Sequence, residues 1–237
     1  MSRGGHDWSV ATSLAPTIGG RAADLRVPRL RGVSHVVAFF LATAAASWAV
    51  AHAPAGRATA AVAIYGVALV ALFGGSALYH RWPVQGPVKA TLQRLDHSTI
   101  FIFIAASYTP IALIVLHGAL VWTVLGIAWI GAAVGVTFSF GWIDAPRRVI
   151  AGSYLALGWI AVLALPQPLD RLGPQPLALL VAGGLLYSAG AVIYARQRPD
   201  PWPRWFGFHE VFHALVIFAA AAQYIALVGW VLPSAGT

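Results

Sequence analysis

The distribution of charge constrains this chain more than any motif in it. No Asp, Glu, Lys or Arg occurs in residues 32–56, 58–80, 97–143, 149–169, 172–195 or 211–237. A helix needs about 20 predominantly apolar residues to cross a hydrocarbon core, where every backbone N–H and C=O must find its partner without water. Five of these gaps accommodate one such helix each. The longest, broken by His117 and Gly118, accommodates two. Helices are therefore predicted at about 33–51, 59–80, 97–116, 119–138, 149–165, 176–195 and 208–231. Only 9% of the 237 residues are charged, against about 25% in a soluble domain. The fold class that follows is an all-α membrane protein, a bundle of seven transmembrane helices.

The net charge of +8 raises the question of nucleic acid, and its placement answers it. With seven helices, the loops on one side hold Arg3, Arg21, Arg26, Arg29, Arg31, Arg81, Lys89, Arg94, Arg147, Arg148, Arg196, Arg198 and Arg204. The other side holds Arg57 and Arg171, a split of 13 to 2 among the 15 basic residues. Positive residues stay cytoplasmic, which predicts a cytoplasmic N-terminus, an outside C-terminus and a multi-pass location in the cell membrane. The basic excess reads as topology and as attraction for anionic lipid head groups; no nucleic-acid partner is implied. Residues 1–32 lack the continuous apolar core of a signal peptide; residues 1–27 read as a flexible cytoplasmic arm, with residues 28–237 as the transmembrane domain.

Proline-bearing loops punctuate the helices, and Pro110 inside the third should distort it. Trp82, Trp142, Trp202 and Trp205 read as interfacial anchors. The pairs Gly74-Gly75 and Gly183-Gly184 read as sites of close helix contact.

Against this background the polar residues at membrane depth need a reason. The second helix ends at the basic side with Ser76 and His80, the third begins there with Asp96, and the seventh begins there with His209 and His213. Three helices distant in sequence thus bring their polar side chains to one depth. His209 and His213 are spaced i, i+4 and share a helix face, as do Ser76 and His80. Without cysteine, any metal site must use imidazole and carboxylate. Three histidines with an open position are the arrangement of a catalytic zinc. Asp96 is then either a fourth ligand or the group that orients the metal-bound water and takes its proton. Ser76 would donate to an oxyanion or to Asp96.

Each residue also has a plainer reading. A single His-x-x-x-His is a weak signal. His35, His52 and His117 read as half-wet histidines near helix ends, without partners. His97 follows Asp96 by about 100° of helix and points elsewhere. Glu210 is either a partner to an imidazole N–H or a carboxylate at the positive end of its helix. Asp96 could simply pair with Arg94 or Arg81. Co-location at one depth is what favours a site.

The segments Ser76-Ala77-Leu78-Tyr79-His80, Leu95-Asp96-His97-Ser98-Thr99-Ile100 running to Ser107-Tyr108-Thr109-Pro110, and Phe208-His209-Glu210-Val211-Phe212-His213 resemble the hemolysin III proteins. These are the bacterial branch of the progestin and adipoQ receptor (PAQR) family. Pro28-Arg29-Leu30-Arg31-Gly32 resembles the same branch, and the likeness runs from about residue 28 to the C-terminus. The resemblance implies a seven-helix bundle with its N-terminus inside, zinc on His80, His209 and His213, and Asp96 holding the zinc-bound water. It also places the chain near alkaline ceramidases, which have the same Ser, Asp and three-His pattern, and so implies hydrolysis of a lipid amide or ester. Three functions are thereby open: a zinc hydrolase acting on a membrane lipid or fatty-acyl substrate, a receptor or membrane-state sensor braced by structural zinc, and cytolysis, which the family name implies. No helix carries the polar stripe of an aqueous pore, which weighs against cytolysis by a single chain.

Overall fold

A computed structural model of the protein describes residues 27–164 and 166–236, so residues 1–26, nearly all of the expected flexible arm, lie outside the described residues. The described chain is helical: α1 Val33–His52, α2 Arg57–Arg81, α3 Gly86–Pro110, α4 Ala119–Gly141, α5 Arg147–Gly158, α6 Pro166–Leu172, α7 Pro174–Arg196 and α8 Phe208–Ala226. Seven segments are long and apolar enough to cross a membrane: α1, α2, α3 with its extension to Val115, α4, α5 with its extension to Ala164, α7, and α8 with its extension to Gly236. Short connections make sequential helices antiparallel. α1 packs on both α2 and α8, α7 on both α5 and α8, and the ring closes.

α3 is the most enclosed span because it belongs to two cores. One face meets Val62, Tyr65, Leu69 and Phe73 of α2 together with Val216 of α8. The other meets Val124, Ala128 and Ala132 of α4 and Leu157 of α5. Lipid tails are as apolar as these side chains, so association relies on close packing and small residues. A Cβ at Gly74 would lie 2.9 Å from the Phe39 ring, and one at Gly183 would lie 3.2 Å from the Ala219 carbonyl oxygen. Those two glycines therefore do bring helices together. Gly75 has only ordinary contact with Thr99, and Gly184 faces open space.

Two departures from the sequence reading, and the expected distortion at Pro110, have local causes. α3 begins at Gly86, not near residue 97, because Pro87 starts it favourably and a helix can project beyond the hydrocarbon. Asp96 consequently sits three turns into the helix. Pro110, which lacks a donor, marks where α3 passes into a π-helical turn, Ile111–Val115. The fifth span is α-helical only to Gly158 and tightens to a 3₁₀ helix over Trp159–Ala164. There the Tyr108 hydroxyl inserts into the ladder, donating to the Leu157 and Gly158 carbonyls and accepting from Ala161 N–H.

The connections at 82–85, 142–146 and 197–207 and the segment 27–32 share one end of the bundle, the basic end. Trp82, Trp142, Trp202 and Trp205 all lie exposed there. Backbone hydrogen bonds from Arg29 to the Arg204 carbonyl (3.1 Å) and from Leu30 to the Trp205 carbonyl (3.2 Å) tie the N-terminal segment to the α7–α8 connection. The Arg29 guanidinium stacks 4.6 Å above the Trp205 ring.

Candidate metal centre

The α2, α3 and α8 segments meet just inside the basic end. His80 from the last turn of α2 and His209 from the first turn of α8 place their Nε2 atoms 3.1 Å apart. His213, one turn further along α8, has its ring centroid 4.5 Å from that of His209 and 5.1 Å from that of His80. One ring nitrogen from each of the three histidines falls within 4.8 Å of the others. The group is thus able to hold a metal ion. Nitrogens at 2.0–2.1 Å from a tetrahedral ion are about 3.3 Å apart, close to the His80–His209 separation.

The chemistry of the donors fits an ion as well. His213 is 2% exposed and its Nδ1 has no hydrogen-bond partner. Neutral imidazoles crowded together present lone pairs that cannot all be satisfied by one another's N–H groups, and a buried polar group left unpaired costs about 1–3 kcal/mol. A cation among them removes the conflict. Imidazole with carboxylate nearby is a donor set of borderline softness, suited to zinc and its neighbours in the first transition row.

Asp96 is buried and its Oδ2 lies 3.9 Å from His80 Nε2. Ser76, 3% exposed, stands one turn before His80, on the side of the Asp96 carboxylate. Neither Arg94 nor Arg81 pairs with Asp96; Arg94 donates to the Phe140 carbonyl instead. His97 is outside the triad. Its carbonyl accepts from the Tyr154 hydroxyl at 3.2 Å.

Two residues take roles that sequence reasoning missed. His35 was expected to be a half-wet histidine near a helix end, without partners; its ring nitrogens have none, but it is not half-wet. It is 3% exposed, stacks on His213 with ring centroids 3.7 Å apart and planes 11° apart, and meets the Phe73 ring edge-on at 5.1 Å. Depth would have placed it here, since α1 starts from the basic end as α8 does. Glu210 serves neither an imidazole nor the helix end alone. It is 1% exposed, accepts from Gly207 N–H at 2.8 Å to close the first turn of α8, and takes the Arg31 guanidinium in an ion pair. Arg31 therefore fastens the helix that carries two of the three histidines.

An elongated cavity of about 240 Å³ opens from this cluster into the bundle. His209, His213, Asp96 and Ser76 line its basic end, while Ile104, Leu116, Leu180 and Val231 line the remainder, so it is mostly apolar.

Among the described residues, seven apolar spans with a partly buried three-histidine group at one end define a class of heptahelical membrane protein, and sequence comparison places the chain within it. The sequence model described as "Haemolysin-III related" matches residues 24–224. Hemolysin-3 of Bacillus cereus is 33% identical over 210 residues, covering 86% of this chain and 91% of that protein. The Hemolysin-3 homolog of Bacillus subtilis is 31% identical over 161 residues, covering 68% and 72%. The human monocyte to macrophage differentiation factor is 30% identical over 168 residues, covering 69% and 67%. The chain belongs to the haemolysin III family, is related to the PAQR proteins, and is a multi-pass cell-membrane protein.

Proposed function

We propose that this protein is an integral membrane zinc hydrolase that cleaves an acyl amide or ester bond of a lipid, with His80, His209 and His213 holding the metal at the cytoplasmic side. The observation that carries this reading is continuity: His209 and His213 of the three-histidine group, together with Asp96 and Ser76, line the end of an apolar cavity deep in the bundle. A purely structural metal needs no such cavity, whereas an acyl chain does. The 13-to-2 basic asymmetry supports assigning the basic end to the cytoplasm, with the C-terminus outside. On this reading residues 1–27 form a cytoplasmic arm preceding the catalytic domain.

Zinc held by His80, His209 and His213 would supply Lewis acidity toward a carbonyl oxygen and would make water more acidic at the site. The chain's own groups do the rest. Asp96 accepts the proton of the attacking water as its oxygen bonds to the acyl carbon, then delivers it to the departing amine or alcohol as the C–N or C–O bond breaks. Ser76, buried one turn before His80, would donate to the Asp96 carboxylate and so aim it. The apolar walls exclude bulk water and hold the acyl chain in line with the site. A second reading, a membrane-state sensor whose zinc is closed by Asp96, draws on the 3.9 Å between Asp96 Oδ2 and His80 Nε2, which suits two ligands of one ion.

The test is release of fatty acid from ceramides and phospholipids by the purified protein, with metal content measured in parallel. Release that disappears in Asp96→Ala while zinc is retained supports the hydrolase. Release undiminished in that variant removes Asp96 as the base. Zinc without any release favours the sensor.

A further inference from the structure

The cavity is not uniformly apolar beyond the metal centre. Ten residues separate His213 from Gln223 on α8, and eleven separate Ser76 from Tyr65 on α2 and Asp96 from Ser107 on α3. At 1.5 Å per residue these intervals are all about 15–17 Å. Three helices therefore bring polar side chains to a second common level, and α7 adds Tyr187; all four residues line the cavity. Between the two levels the wall is apolar, with Leu72 and Phe103 among its residues.

At this second level the hydroxyl of Tyr65 stands out. The residue is 3% exposed, its ring packs against Phe103 at 5.7 Å, and its oxygen has no hydrogen-bond partner. Tyr187, which also lines the cavity, donates to Gln223 Oε1 at 3.4 Å, which leaves the Gln223 amide N–H groups to serve something else. A buried hydroxyl without a partner costs about 1–3 kcal/mol, and phenylalanine would fill the same space without that cost. The hydroxyl has a use if the occupant of the cavity presents an oxygen to it.

We propose that this cavity selects a long-chain lipid carrying a second oxygen function, a hydroxyl or keto group, roughly ten to twelve carbons from its head, bound by the Tyr65 phenol and the Gln223 amide. This rests on the reading that an acyl chain occupies the cavity with its head at the metal centre. The two polar levels then act as a ruler. The head is fixed at the histidines, and only a chain oxygenated at the matching distance satisfies Tyr65. An oxygen elsewhere along the chain is buried against apolar wall and is disfavoured.

The test uses the full chain in lipid nanodiscs and displacement of a fluorescent fatty acid by octadecanoic, 2-hydroxyoctadecanoic and 12-hydroxyoctadecanoic acids. The 12-hydroxy acid should bind about fivefold tighter than octadecanoic acid, the worth of one net hydrogen bond. Tyr65→Phe, which keeps the ring, should abolish that preference and leave octadecanoic acid binding unchanged; Gln223→Met should reduce it. The 2-hydroxy acid should show no dependence on Tyr65. Equal binding of the plain and 12-hydroxy acids by the wild type overturns the proposal, since the phenol then serves only water. Equal weakening of both acids in Tyr65→Phe also overturns it, assigning the residue to packing. Displacement by none of the acids overturns the acyl-chain reading itself, and this inference with it.

Discussion

The two ends of the bundle solve the same problem with different means. At the basic end, Arg31 reaches a carboxylate: it pairs with Glu210, which also closes the first turn of α8, and Phe208, the first residue of α8, donates its N–H to Asp200 Oδ1 at 2.7 Å. At the opposite end, Arg171 of α6 reaches backbone. It donates to the Ile114 and Val115 carbonyls at 2.8 and 3.2 Å and to the Ser234 carbonyl at 3.1 Å. Those carbonyls lie where the π-helical turn closes the third span and just past the π-helical turn that follows α8. One arginine thus fixes side chains around the histidine group, and the other donates to backbone carbonyls near two distorted helix ends. A charge is retained in each place because its partner is equally unwelcome in hydrocarbon. Only the first arrangement holds the helix that carries His209 and His213.

Substitutions should separate the ends. The largest effect is expected from His213→Ala or His209→Ala, which should take bound metal from about one per chain to nearly none by elemental analysis; full metal content in both variants would refute the assigned ligands. Next, Arg31→Ala leaves the buried Glu210 carboxylate unpaired, and should weaken metal affinity about tenfold as measured by chelator competition. Arg171→Ala should lower the melting temperature while leaving that affinity unchanged. Equal loss of affinity in both would erase the distinction between the ends.

Two glycines sharpen the same contrast at smaller scale. Gly32 has φ +75°, and a Cβ there would lie 2.6 Å from the His80 Cβ. Gly32→Ala should therefore cost about 2–3 kcal/mol and perturb the metal centre. Gly56, at the far end, has φ +93° with nothing within 4 Å. Its alanine variant should cost about 1 kcal/mol, from backbone conformation alone, with metal binding intact. The smallest change is expected in His35→Phe. Neither His35 nitrogen has a partner, so a ring of similar shape should preserve the stack on His213 and shift metal affinity by no more than a few-fold; complete loss of metal would make His35 a ligand.

The number of spans, their order and the level at which Ser76, His80, Asp96, His209 and His213 sit were legible in the sequence, because a bilayer imposes a one-dimensional constraint. Apolar run length and charge-free gaps report position along the membrane normal. Rotation about each helix axis is another matter. These helices are apolar nearly all round, since lipid and core are alike in polarity, and no pattern marks which face turns inward. For that reason His35 could be placed at the correct depth and still be misread, and Glu210 could be seen beside two histidines without its tie to Arg31, 179 residues away in sequence. The local distortions were equally hidden: the 3₁₀ stretch of the fifth span depends on the Tyr108 hydroxyl from another helix. Depth was written in the chain itself. Which side chains meet at that depth, and which face an apolar cavity, was decided only by the packing of the helices against one another.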